Sequence, residues 1–159
     1  MPGTSNFCDG MHAPQLSPLY HASVMPPAPI SFASPSNVLA DNMPLGNGEL
    51  TSNAWVNASD GALSLLLGRS DAWSSLAMPI KVGRIKLRLR PSPFVKPDAF
   101  SQTLHLENGS ISIFARRGDL AVSARLWVDS AAGVRPHTSS AAVVFVELNA
   151  SAPVAASVA

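Results

Sequence analysis

The sequence predicts an all-β fold of antiparallel strands, arranged as a sandwich or an open barrel-like sheet. Three observations predict it. The stretch "GRIKLRLR" alternates Ile85, Leu87 and Leu89 with Lys86, Arg88 and Arg90, the period-two pattern of a strand with one buried and one solvated face. Asp60-Gly61, Asn108-Gly109 and Gly118-Asp119 are dipeptides suited to tight hairpins, because glycine and its short polar neighbours reach the left-handed backbone such turns require. No stretch repeats apolar residues at helical spacing over a convincing length.

Residues 1–42 read as an irregular, disordered lead-in. The first forty hold seven of the chain's fourteen prolines and one charged residue, Asp9; "VMPPAPISFASPS" interrupts helix and central strand alike, since proline lacks the donor N–H. A secretory signal would need a basic start and a proline-free apolar run, and neither is visible. From residue 49 the strands begin. Leu50, Ala54 and Val56 share one parity of the first, Asp60-Gly61 turns the chain, and "ALSLLLG" follows with Leu63, Leu65 and Leu67 on one face. After the alternating segment, "SQTLHLENGSISIFARRGDLAVSARLWVD" reads as three consecutive strands. A loop around Gly133 and Pro136 leads to a last strand, "AAVVFVELN", and residues 151–159 remain as a small-residue tail with nothing to cover the final edge. Complete domains usually protect such an edge, so truncation is expected.

A chain of 159 residues with 47% apolar and 13% charged residues and a net charge of +1 has material for one core and no charge bias toward a polyanion. The five basic residues from Lys81 to Arg90 describe a solvated strand face or a charge-protected edge more simply than a nucleic-acid surface. No apolar run is long enough for a spanning helix. Cys8 stands alone and permits no internal disulfide. Together with His12, His21, His105 and His137 it matches no zinc spacing, so no metal or other cofactor is expected.

"MPLGNGELTSNAWV" fails both phosphate-loop templates: Thr51 stands where a dinucleotide fingerprint needs glycine, and no Gly-Lys-Ser/Thr follows. It reads as a turn. Serine occurs in no Gly-x-Ser-x-Gly elbow, and the acidic residues show no spacing that marks an acid and base pair. Asp71 and Trp73 stand apart, because a carboxylate beside an indole can bond sugar hydroxyls and cover a C–H face; the alternative is a turn-capping Asp71 and a core-filling Trp73. Asn57, Asn108 and Asn149 begin Asn-x-Ser patterns, the acceptor signal for glycosylation, which leans toward secretion.

Three stretches in order, "MPLGNGELTSNAWV", "DGALSLLLGRSDAW" and "IKVGRIKLRLRPSPF", resemble the N-terminal region of the domain-of-unknown-function 5703 family over roughly residues 43–150. That family is similar to the N-terminal β-sandwich of family 95 glycoside hydrolases, the α-L-fucosidase type, whose Pro-(Ile/Leu)-Gly-Asn-Gly motif matches Pro44, Leu45, Gly46, Asn47 and Gly48; Gly83 opens a further shared segment. The resemblance implies a β-sandwich of the partial supersandwich kind, carbohydrate as ligand class, and a helical barrel elsewhere in the protein that bears the catalytic acid and base. The expectation is a non-catalytic domain of a glycoside-hydrolase-like protein, or else a stand-alone carbohydrate-binding or interaction module.

Overall fold

A computed structural model of the chain describes residues 27–129 and 143–159. The lead-in up to residue 26 and the loop around Gly133 and Pro136 lie outside the described residues. Two antiparallel five-stranded sheets pack face to face. In sheet I the order is β1 (Ile30–Phe32), β6 (Ala99–His105), β7 (Ser110–Arg117), β8 (Leu120–Val128) and β9 (Val144–Ala150). Sheet II runs β10 (Ala155–Val158), β5 (Pro79–Arg90), β4 (Leu63–Trp73), β3 (Leu50–Val56) and β2 (Met43–Gly46). The fold is the β-sandwich expected.

The turn dipeptides explain the meanders. Gly61, Gly109 and Gly118 take positive φ of 60°, 60° and 57° between β3 and β4, β6 and β7, and β7 and β8. Burial follows the alternation: Leu87 and Leu89 are buried, Ile85 is half-buried against the same core, and Lys86 and Arg88 point away. Leu50, Ala54, Val56, Leu63 and Leu65 meet Leu104, Ile111, Ile113, Val122 and Leu126 across the interior. Phe94, buried from the "PSPF" segment, closes one end. That segment packs on the Asp60-Gly61 turn, where a Cβ on Gly61 would lie 2.4 Å from Val95 Cγ2.

Among the described residues, two side chains tether the sheets beyond the apolar contact. Buried Gln102 of β6 accepts from the Val56 N–H at 3.3 Å and donates to the Ala54 carbonyl at 3.4 Å, taking over where β2, which begins opposite Ala54, no longer runs beside β3. Asn47 supplies the second tether.

The structure corrects the reading of both ends. Residues 30–32 are not irregular: β1 pairs with β6 in the register Ile30↔Leu104 to Phe32↔Gln102, laying Phe32 against the core. Nor is the segment after Ala150 an uncovered tail, because Ala155–Val158 pairs with Arg90–Leu87 of β5 while Val154 packs on the core. The strand "AAVVFVELN" is therefore not the last. A third difference concerns β4 and β5, which continue past bulges at Leu67/Gly68 and Gly68/Trp73 into a long hairpin turning at residues 74–78.

Candidate functional site

The Gly-Asn-Gly stretch is a turn between β2 and β3. Asn47 Oδ1 accepts from the N–H groups of Glu49 (3.0 Å) and Leu50 (2.8 Å), and the Asn47 N–H donates to the Leu50 carbonyl (3.2 Å). Its amide Nδ2 donates at 2.7 Å to the carbonyl of Asp129, at the end of β8 in the other sheet. Gly48 has φ +91° with open space where a Cβ would stand, whereas Gly46 keeps an ordinary φ and a Cβ there would approach the Leu50 carbonyl to 3.2 Å. A side chain at the two glycines would thus be resisted for different reasons, strain at Gly48 and crowding at Gly46. Pro44 lies exposed on β2, and a Cβ on Gly83 would meet nothing within 4 Å.

Asp71 and Trp73 share one face at the far end of β4, both exposed. Asp71 is clasped by Arg69, Nε to Oδ1 at 2.9 Å and Nη2 to Oδ2 at 3.0 Å, and Arg69 reaches Glu49 as well at 2.9 Å. Hydrogen bonding from Arg69, and then its charge, outweigh desolvation and hold the Asp71 carboxyl below its ordinary range. That is the wrong direction for a general acid, whose pKa must rise. Trp73 fills no core gap: it is 56% exposed, with its indole N–H donating to the Ser70 carbonyl at 2.6 Å.

Beyond Trp73 the hairpin carries Leu76 (79% exposed), Met78 (60%), Ile80 and Val82. Large apolar side chains gathered at one protruding element mark an interaction site more often than a free surface. A second apolar feature, of about 240 Å³, opens between the sheets where Leu65, Ile85, Leu87, Val146, Leu148 and Val158 converge from β4, β5, β9 and β10.

The outer face of sheet I holds the polar counterpart, a groove of about 340 Å³. Register builds it. Ser31, Thr103, Ser112, Arg125 and Glu147 lie in one row across all five strands. On one side runs Ser101, Phe114, Ser123 and Asn149, on the other His105, Ser110, Trp127 and Phe145. His105 bridges Glu107 Oε1 (3.3 Å, from Nδ1) and Ser112 Oγ (3.1 Å, at Nε2). The Arg125 guanidinium lies 5.5 Å from the Trp127 ring centroid, and Trp127 stacks on Phe145 at 5.2 Å and 12°. A neighbouring depression of about 350 Å³ is lined by Arg125, Trp127, Asn108 and Asp129.

Residues 31–159 match the family described as a domain of unknown function (DUF5703). The chain belongs to the DUF5703 family. The match reaches beyond the 43–150 expected, taking in most of β1 and all of β10. No curated protein and no solved structure matches the chain.

Within this DUF5703 domain two further carboxylates, Asp60 and Asp98, have structural tasks. Asp60 Oδ2 receives Lys86 Nζ at 3.1 Å and Arg88 at 3.2 Å, so part of the basic face is held at a turn, while Arg84 lies 5.8 Å from the Trp55 ring centroid. Partial burial raises the Asp60 pKa, but hydrogen bonds from Lys86, the Ala62 N–H and Arg88, with the Lys86 charge, bring it below its ordinary value. Asp98 accepts from the Gly118 N–H at 2.7 Å. Among the described residues no three His, Cys, Asp or Glu side chains converge as a metal site, and no helix is long and apolar enough to cross a membrane. Asn57 Oδ1 and Asn108 Oδ1 accept hydrogen bonds within their own turns, from Ser59 and Ser110, while Asn149 lies on β9 at the groove. The sequence reading passed over this groove because its residues come from separate strands; the signal present was Arg125 and Trp127 alternating with buried Ala124, Leu126 and Val128.

Proposed function

We propose that this DUF5703 domain is the non-catalytic N-terminal β-sandwich of a glycoside-hydrolase-like, carbohydrate-active protein, packing against a helical barrel that carries the acid and base. The Pro-Leu-Gly-Asn-Gly motif at residues 44–48 supplies the glycosidase resemblance. The observation that carries the domain-packing role is the β4–β5 hairpin, whose Trp73, Leu76, Met78, Ile80 and Val82 are exposed together. An apolar tip of that kind is stabilised when another domain covers it. Against an acid role for Asp71, Glu49 shares the Arg69 guanidinium with it, an arrangement that keeps Asp71 ionised rather than ready to give up a proton.

The purified chain is expected to leave aryl α-L-fucosides and α-galactosides intact, and to bind a hydrophobic dye less after Leu76→Ser with Met78→Ser. Turnover abolished by Asp71→Asn would overturn the non-catalytic reading; dye binding indifferent to the double substitution would overturn the docking role. A second reading, a stand-alone carbohydrate-binding module, is favoured by the polar groove on sheet I.

A further inference from the structure

We propose that the groove on the outer face of sheet I binds a neutral oligosaccharide, with Arg125 and Ser112 at its centre and Phe114 as its apolar wall. The proposal rests on the carbohydrate-binding reading above and deepens it by naming the residues and ligand class of the groove that favours it.

The side chains point to the ligand class. Ser101, Thr103, Ser112 and Ser123 place hydroxyls along the floor, each able to donate and accept, as sugar hydroxyls do. Asn149 adds both functions in one amide. Charge is balanced, because Arg125 and Glu147 stand directly opposite each other in the β8–β9 ladder. Within the groove's own lining one cation faces one anion, Arg116 lying exposed further along the same face of β7, so the groove itself offers no excess sign to draw a nucleic acid or sulfated polymer by counterion release. An apolar peptide would leave this row of hydroxyls and amides without partners, at a cost for each group that water no longer reaches.

Saccharides also present apolar C–H faces, and the groove has a surface for them. Phe114 is 40% exposed on β7 and lines the first depression; Trp127 lines the second. Arg125 belongs to both and lies against the Trp127 ring, a contact that orients its guanidinium while leaving donors for a ligand. His105, held by Glu107, meets Ser112 at 3.1 Å and so orients the floor hydroxyl that lies beside Arg125 in the register. Adjoining depressions of about 340 and 350 Å³, each at the lower end of the ~300–1,000 Å³ usual for small-molecule sites, form a trough suited to successive sugar units rather than one.

The test uses the ¹⁵N-labelled full chain titrated with cellohexaose, xylohexaose and mannohexaose to ~10 mM, the weak regime expected of an open groove, and with trigalacturonate as an acidic comparison. At least one neutral hexasaccharide is expected to shift the backbone amides of Ser112, Ser123 and Arg125. Arg125→Ala and, separately, Phe114→Ala should each weaken that binding about tenfold, with the spectrum otherwise folded. Ser112→Ala, which deletes one floor hydroxyl and little packing, should weaken it as well. Absence of shifts on this face with all three neutral ligands overturns the proposal. So do shifts that gather on Asp71 and Trp73, tighter binding of trigalacturonate than of any neutral ligand, or affinity unchanged in all three variants. Glycosidase turnover bears on the non-catalytic reading alone and leaves the groove standing.

Discussion

Asn47 acts on two levels of the fold with one side chain. Its oxygen closes the β2–β3 turn on Glu49 and Leu50, while its nitrogen reaches Asp129 in the opposite sheet. Asn47→Ala is expected to lower stability by about 1–3 kcal/mol in urea melts, since it leaves several backbone groups without their partner. Asn47→Asp keeps the acceptor, loses the donor, and should fall between. Gly48→Val should lower stability by ~1–3 kcal/mol through left-handed strain alone, there being space for its Cβ. Gly46→Val acts instead by crowding the Leu50 carbonyl, so proline-like rigidification of the turn elsewhere would not relieve it. Asp60 yields a pH dependence. Its folded pKa lies below its ordinary value, so its stabilising contribution is complete above the unfolded value of ~3.9 and is lost as pH falls through the folded value. Asp60→Asn should therefore flatten the acid limb of a stability profile below pH ~4 while leaving its slope near neutrality unchanged.

Among the elements, those that a local signal defines were legible. "GRIKLRLR" has its inward and outward sets where the alternation places them, and the Asp-Gly, Asn-Gly and Gly-Asp pairs all turn hairpins at positive φ. What lacked a local signal was missed. β1 has three residues and β10 four, with β10 exposed throughout, and each exists because a distant strand offers it a ladder. The far half of the β4–β5 hairpin was hidden likewise: exposed on both parities from Pro79 to Val82, it shows none of the alternation that burial imposes. Of the candidate site, Asp71 and Trp73 were found as sequence neighbours, whereas the groove is assembled by cross-strand register that no single stretch encodes. Deleting Ala155–Ala159 is expected to bare the β5 edge, lower the thermal midpoint and promote self-association, read by light scattering. An unchanged midpoint and a monomeric product would show β10 to be dispensable to the sandwich.

At the scale of the whole molecule, the two sheets are joined by apolar contact, by Asn47 and by buried Gln102. Gln102→Leu retains the volume and removes both hydrogen bonds to β3, so it should destabilise by about 1–3 kcal/mol despite adding apolar surface; a neutral result would place the interlock in the aliphatic packing alone. The strand order carries a consequence for the growing polypeptide. β2 to β5 form an uninterrupted meander in sheet II, while the strands that cover its inner face, β6 to β8, all come later in the chain. On a ribosome adding ~5–20 residues per second, roughly 2–8 s separate the emergence of Arg90 from that of Val128. During that interval Leu50, Leu63, Leu65, Leu87 and Leu89 have no opposite layer, and β1, made first, must wait for β6 before it has anything to pair with. Until the second meander is translated, the nascent half-sandwich therefore leaves in water the apolar face that the finished sandwich buries.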